Sequence, residues 1–406
     1  MARLSQKIIV MGLGYIGLPT ASMLATKGHQ VLGVDVSEHA VNTINSGRIH
    51  IIEPDLDILV RSAVNSGNLK ASLTPEEGDT FIIAVPTPFK ELDGNPKAPD
   101  LSYVESATRA IVPYLREGNL VILESTSPVG TTEFIYRTIV EMRPELAGKI
   151  HAAHCPERVL PGHILRELVD NDRIVGGMSK AANDLARDLY KSFCNGAILL
   201  TDSKTAELSK LVENSFRDVN IAFANELSLV CDHLGINVWE TIALANRHPR
   251  VNILQPGPGV GGHCIAVDPW FIVSSAPEQA KLIKTARQVN DAKPHWVIDK
   301  VKAKAARFKE PVIACLGLAF KANIDDMRES PALEIVKDLI AQKVGKIMAC
   351  DPNVHADKLG FPLYDLKQVL KEADILLLLV DHTEFKEMDM DAIRDKVVID
   401  TRGVLR

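Results

Sequence analysis

Lys7-Ile8-Ile9-Val10-Met11-Gly12-Leu13-Gly14-Tyr15-Ile16-Gly17 is the stretch on which the fold turns. Its apolar run, Ile8 to Met11, is far too short to cross a bilayer and ends in glycine, so it reads as a buried strand rather than a leader or an anchor. The glycines behind it stand at Gly-x-Gly-x-x-Gly spacing and open a helical stretch. Gly12 allows the tight turn, Gly14 lets backbone approach a pyrophosphate, and Gly17 allows close helix–strand packing. Tyr15 and Ile16 belong to the same loop. Asp35 ends the next strand, where it can accept hydrogen bonds from ribose hydroxyls and would repel a 2′-phosphate. The expected cofactor is NAD rather than NADP.

Outward from this motif, short β-branched runs at residues 30–35, 80–85, 120–124 and 149–153 alternate with helical stretches. That alternation argues for a parallel sheet covered by helices on both faces. Residues 89–99, with two prolines and a glycine, read as a surface loop. From Thr205 to Leu234, apolar residues recur at helical spacing without proline or glycine, a length that suits a connector or a dimer core. Strand-like runs return at 312–316, 346–350, 374–380 and 396–400. The expectation is an α/β protein of two Rossmann-like, doubly wound parallel-sheet domains joined by a long central helix. Its divisions are an NAD-binding domain at 1–200, a helical connector at 201–300 and a second α/β domain at 301–406.

The chain has 406 residues, 46% hydrophobic and 24% charged, with a formal net charge of −6. That length calls for more than one core. Lysines and arginines form no basic stripe, so neither nucleic acid nor an anionic membrane is expected as a partner. The six cysteines include no CxxC pair and no Cys/His cluster at zinc spacing, so no metal is expected. Most of them suit small buried positions in a reducing cytoplasm.

Cys264 differs. It follows Pro-Gly-Pro-Gly-Val-Gly-Gly-His, a loop whose glycines forbid regular structure and allow close approach to a ligand. Asp268 lies four residues on, and a thiol in that setting suits a nucleophile. Lys210, Asn214 and Arg217 share one helical face, either a solvated stripe or a group able to meet an oxyanion. Thr87 and Thr126, in loops at strand C-termini, either line the nicotinamide side of a cleft or cap proline turns.

Together GLGYIG (12–17), VPTP (85–88), ESTSPVGTT (124–132), CPERVLPG (155–162), KLVENSFRDVN (210–220), GPGVGGHCIAVDP (257–269) and GLAFKANIDDMRESPA (317–332) resemble the UDP-glucose/GDP-mannose dehydrogenase family over essentially the whole chain. The loop reads Val-Gly-Gly-His-Cys where UDP-glucose enzymes usually carry Phe-Gly-Gly-Ser-Cys. With NRHPRVNILQ and PERVLPG, it is similar to the branch that oxidises UDP-N-acetyl-D-mannosamine; UDP-N-acetylglucosamine and, more remotely, UDP-glucose are the alternatives.

The resemblance implies a four-electron oxidation of the sugar's 6-hydroxyl by two NAD, through a thiohemiacetal and a thioester on Cys264. It implies Lys210 as proton carrier and oxyanion partner with Asn214 beside it, Asp268 assisting water or bonding the lysine, and Glu157 and Thr126 holding water and substrate. Arg158, Val159, Arg217, His248, Arg250 and Gly261 match substrate-contacting positions, Phe320 and Lys321 the nucleotide-sugar contacts, and Arg328 an NAD contact. A homodimer through the long helix is implied as well. A two-electron dehydrogenase would need no thiol, and a non-catalytic sensor would be expected to lose Cys264 or Lys210; both residues are present.

Overall fold

A computed structural model describes residues 5–90, 97–160, 162–262 and 264–405. The chain divides into two compact units, residues 1–212 and 213–406.

In the first unit, β1 (Lys7–Met11), β2 (Gln30–Val34), β3 (Leu69–Ser72), β4 (Thr80–Ile83), β5 (Leu120–Leu123), β6 (His151–His154), β7 (Arg173–Gly177) and β8 (Ile198–Asp202) form one sheet. Its order is β3-β2-β1-β4-β5-β6-β7-β8. Neighbours are parallel except β6 and β7, so the last two strands run against the rest. The central strands are apolar at successive positions because both faces are covered. Ile8, Val10, Ile82 and Ile122 point into one core, and Ile9, Phe81, Ile83 and Val121 into the other. Helix α1 (Gly17–Thr26) follows the glycine motif, and α2 (Thr131–Met142) follows β5. Strands β3, β7 and β8 escape the sequence pattern: β8 is partly exposed along its length, and β3 alternates. The expected loop at 89–99 is, at its described ends, an antiparallel ribbon pairing Phe89 with Pro99; residues 91–96 lie outside the described residues.

The long helix expected from Thr205 is present as α3, Ser203–Leu234, 32 residues without proline or glycine. In the second unit, α4 (Asp268–Ser275) precedes α5 (Lys281–Ala305), a 25-residue helix that carries Pro294 within it. Four parallel strands follow: β9 (Val312–Leu316), β10 (Lys346–Cys350), β11 (Ile375–Leu378) and β12 (Val397–Asp400). Their order is β10-β9-β11-β12. Again alternate residues feed two cores, Ile313, Cys315 and Leu377 one of them, Ala314, Leu316 and Leu376 the other. Both units are doubly wound α/β sheets. Among the described residues no helix is long and apolar enough to cross a membrane.

Candidate active site

The glycine motif has the shape its spacing requires. Gly12 sits at φ +90°, and a side chain there would meet the Ala84 carbonyl at 2.7 Å. One at Gly17 would run into the Gly12 carbonyl at 1.9 Å, so α1 can pack this closely only on glycine. Gly14 faces open space, which leaves its backbone accessible to a phosphate at the helix N-terminus. Asp35 accepts from Leu13 N–H at 2.9 Å and Ser37 N–H at 2.9 Å, one bond per oxygen, which fixes the carboxylate and leaves lone pairs for ribose hydroxyls. Tyr15 is exposed and Ile16 half-buried beside the loop. These residues fit NAD.

Also in the first unit, Thr87 Oγ1 donates to the Thr126 carbonyl at 2.6 Å, so the two threonine loops are joined. Glu157, expected to hold water and substrate, is buried and already engaged: Arg173 donates to one oxygen at 2.7 Å and Arg158 N–H to the other at 2.7 Å. Arg158 itself reaches the Asp172 carbonyl at 3.2 Å, and Val159 packs against the sheet core. Lys210 is half-buried near His154, whose pKa burial pushes down to about 3, with the lysine charge adding to that fall. A neutral imidazole beside an ammonium avoids burying two like charges.

In the second unit the thiol loop packs on the segment that follows β9. Gly262, at φ +82°, donates to the Arg328 carbonyl at 3.1 Å. A side chain on Gly261 would meet the Glu329 carbonyl at 2.5 Å and Phe320 Cβ at 2.8 Å. Cys264 is exposed, whereas the other five cysteines are buried and reduced. Its carbonyl accepts from Val267 and Asp268 N–H in the turn that starts α4. Asp268 is buried, and Asn214 Nδ2 donates to its carboxylate at 2.5 Å. Three sequence candidates are therefore brought together: Cys264 and Asp268 through the turn, Asp268 and Asn214 by a hydrogen bond.

Arg217, His248, Arg250 and Lys321 are exposed, with His248 Nδ1 accepting from Arg250 N–H at 3.3 Å. Phe320 is half-buried against Gly262. Arg328, expected at the cofactor, holds Asp326, with Nη2 at 2.6 Å; two residues apart in a tight turn, the pair forms locally.

Several residues at the site gave no sequence signal. Arg173 is one, since a lone arginine in a strand reads as a surface residue. Arg402 is another: it pairs with Asp381 at 2.9 Å, and a side chain at Gly257 would meet its guanidinium at 2.7 Å. Asp351 ends β10 as Asp35 follows β2, and it likewise accepts from the glycine-turn backbone, Leu318 N–H at 2.7 Å. There, however, His382 closes over it at 3.2 Å in a buried pair, so this second turn presents no open carboxylate.

Comparison with known proteins agrees with this architecture. The NAD-binding domain of the UDP-glucose/GDP-mannose dehydrogenase family matches residues 6–194, its central domain 204–292 and its UDP-binding domain 314–406. An NDP-N-acetyl-D-galactosaminuronic acid dehydrogenase from Ralstonia nicotianae is 60% identical, over 98% of this chain and 96% of its own. The UDP-N-acetyl-D-mannosamine dehydrogenase of Escherichia coli K12 is 56% identical, over 98% and 99%. Among solved structures, the UDP-D-ManNAc dehydrogenase of Pyrococcus horikoshii superposes with a TM-score of 0.87 at 42% identity, covering 98% of this chain and 96% of that one. The chain belongs to the UDP-glucose/GDP-mannose dehydrogenase family. It is an NAD-dependent nucleotide-sugar dehydrogenase, with a UDP-binding domain to hold the nucleotide of its substrate.

Proposed function

We propose that this enzyme oxidises the 6-hydroxyl of UDP-N-acetyl-D-mannosamine to a carboxylate, giving UDP-N-acetyl-D-mannosaminuronate, with Cys264 as covalent nucleophile. The observation that carries this reading is the single exposed thiol, set in a glycine loop packed on the UDP-binding domain's Phe320–Glu329 segment. A simple alcohol dehydrogenase would have no use for it.

NAD, when bound, accepts one hydride in each of the two oxidations. Lys210 takes the hydroxyl proton as the alcohol becomes an aldehyde. The Cys264 sulfur then bonds to the aldehyde carbon, and its proton passes to the new oxygen, giving a thiohemiacetal. The second hydride then leaves that carbon while the hydroxyl gives up its proton to solvent through Lys210, and a thioester remains. Water adds to its carbonyl and the C–S bond breaks, which returns the thiol and frees the acid. Asp268, held by Asn214, assists the water, and Thr126 and Glu157 line the approach. Arg158, Val159, Arg217, His248, Arg250, Gly261, Phe320 and Lys321 contact the nucleotide sugar, and Arg328, once released from Asp326, serves the cofactor. Fixed donors at developing oxyanions each contribute about 3–4 kcal/mol in such chemistry.

A reducing compartment keeps a nucleophilic thiol available, and the cytoplasm is the location this reading gives the enzyme. Helix α3 offers a dimerisation surface: Phe216, Phe223, Val230 and Leu234 recur every one or two turns and are all exposed, Phe216 at 68%. Monomers rarely leave such a stripe in water.

A second reading has specific support, since the relative from Ralstonia nicotianae at 60% identity is named for N-acetyl-D-galactosaminuronic acid. Following NADH at 340 nm with UDP-N-acetyl-D-mannosamine, UDP-N-acetyl-D-galactosamine, UDP-N-acetylglucosamine and UDP-glucose side by side decides between them. The highest kcat/KM is expected for the mannosamine nucleotide, and a tenfold preference for any other replaces this reading.

A further inference from the structure

We infer that a buried polar network, Asp218–Arg287–Asn290–Asn225, positions the nucleophile by tethering both ends of the Cys264 loop. The inference rests on the reading of Cys264 given above. Asp218 and Asn225 lie on α3, Arg287 and Asn290 on α5, and all four are at most 1% exposed. Asn225 Oδ1 accepts from Gly257 N–H at 2.9 Å, at the start of the loop. Arg287 Nη1 reaches the Ile265 carbonyl at 3.5 Å, the residue after the thiol.

The four side chains bind one another in series. Asn225 donates to Asn290 at 2.8 Å, Asn290 to Asp218 at 2.8 Å, and Arg287 to the same Asp218 oxygen at 2.5 Å. The described loop residues 257–262 form neither helix nor strand, so these contacts, with the Gly262 bond to Arg328, position the backbone that bears the sulfur.

Stability alone does not account for the arrangement. A buried ion pair loses solvation that its attraction barely repays, and apolar replacement of both partners is often neutral or stabilising. Here Arg287 Nη2 also pairs with the partly exposed Asp291, yet the buried pair is not fully satisfied: Asp218 Oδ2 and Arg287 Nε are buried without a hydrogen-bond partner among the described residues. What the network supplies is directional contact with loop backbone, which an apolar cluster cannot provide. Asp218 also stands one turn beyond Asn214, so one helix holds both the Asp268 carboxylate and the network that fixes the thiol. Asp218, Asn225, Arg287 and Asn290 are positioning residues, acting through the loop.

The test is the double variant Asp218→Leu/Arg287→Met, which removes the buried pair and leaves Asp291, itself partly exposed, to solvent, alongside Asn225→Leu, which removes the Gly257 tether together with the bond to Asn290. Each is assayed with whichever UDP-sugar the substrate comparison identifies. A loosened thiol captures the aldehyde poorly. The expected result is an unchanged thermal midpoint, turnover reduced roughly tenfold to a hundredfold, NADH per sugar falling from two toward one, and aldehyde trapped as its semicarbazone. Partial unfolding alone would lower turnover without altering that ratio. Folded variants giving wild-type turnover and two NADH per sugar overturn the inference, as does loss of folding in both, which would assign the network to stability. Cys264→Ala run in parallel separates the two claims. If it still yields two NADH per sugar, the nucleophile reading fails; if it does not while the network variants behave as wild type, only the network fails.

Discussion

Glu124 ends β5 in a sealed environment, 1% exposed, and burial pushes its carboxyl pKa from 4.5 up to about 7 despite the nearby Arg173 guanidinium. Tyr190 donates to it at 2.6 Å and Thr20 at 3.3 Å. The folded state therefore keeps a proton that the unfolded chain gives up, so this group's contribution to stability is full below about pH 4.5 and is lost as pH rises through 7. Glu124→Gln lacks that proton-linked loss. Chemical denaturation should show its stability relative to wild type rising between pH 4.5 and 7, by on the order of 3 kcal/mol; a constant difference would rule the assignment out. At this scale the sequence was readable where several unusual residues fell together, as glycines do around Cys264 and Gly12. It was silent where one ordinary residue acquires its role from distant partners. Arg173, Asp218, Arg287 and Asn290 look like surface residues until the fold buries them.

At the scale of elements, the loop that bears Cys264 carries the chemistry proposed above, and its glycines are there for space. Gly261 has the Glu329 carbonyl, Phe320 Cβ and Pro331 Cδ all within 3 Å of where a methyl group would sit. Gly261→Ala must push the loop off that segment, at a cost of about 1–3 kcal/mol. Expressed at the reacting carbon, that is a fall in kcat of roughly tenfold or more. NAD affinity, measured by calorimetry, should stay unchanged, because the glycine motif lies in the other unit; equal losses in both would mean general disruption. The central strands were legible because burial on both faces makes them continuously apolar. Strands β3 and β8, at the two edges of the sheet, and β7 beside β8 were not, and neither was α5, where Pro294 argues for a break that packing overrides. A side chain at Gly259 would meet the ring of that proline at 3.2 Å, so the same loop passes close to the helix there.

For the whole molecule, two doubly wound units with the same glycine turn and strand-end aspartate have been turned to different uses. Asp35 remains available to a ribose, while Asp351 is closed off by His382. The alternation of strands and helices made this plan readable, whereas the exposure of the apolar stripe on which the proposed subunit association rests is set by the folded structure. Phe223→Asp places a charge in the apolar stripe of α3 and forfeits about 1.5–3 kcal/mol of burial per aromatic side chain. Sedimentation velocity should show a dimer for the native chain and a species shifted toward monomer for the variant; a native monomer would refute the proposed interface. The account as a whole depends on the Cys264 sulfur joining to the sugar's terminal carbon between two oxidations. The direct measurement is the number of NADH formed per molecule of UDP-sugar consumed, for the native enzyme and for Cys264→Ala. Two are expected for the native enzyme and no more than one for the variant; a native value of one, or a variant that still delivers two, would contradict covalent capture by Cys264.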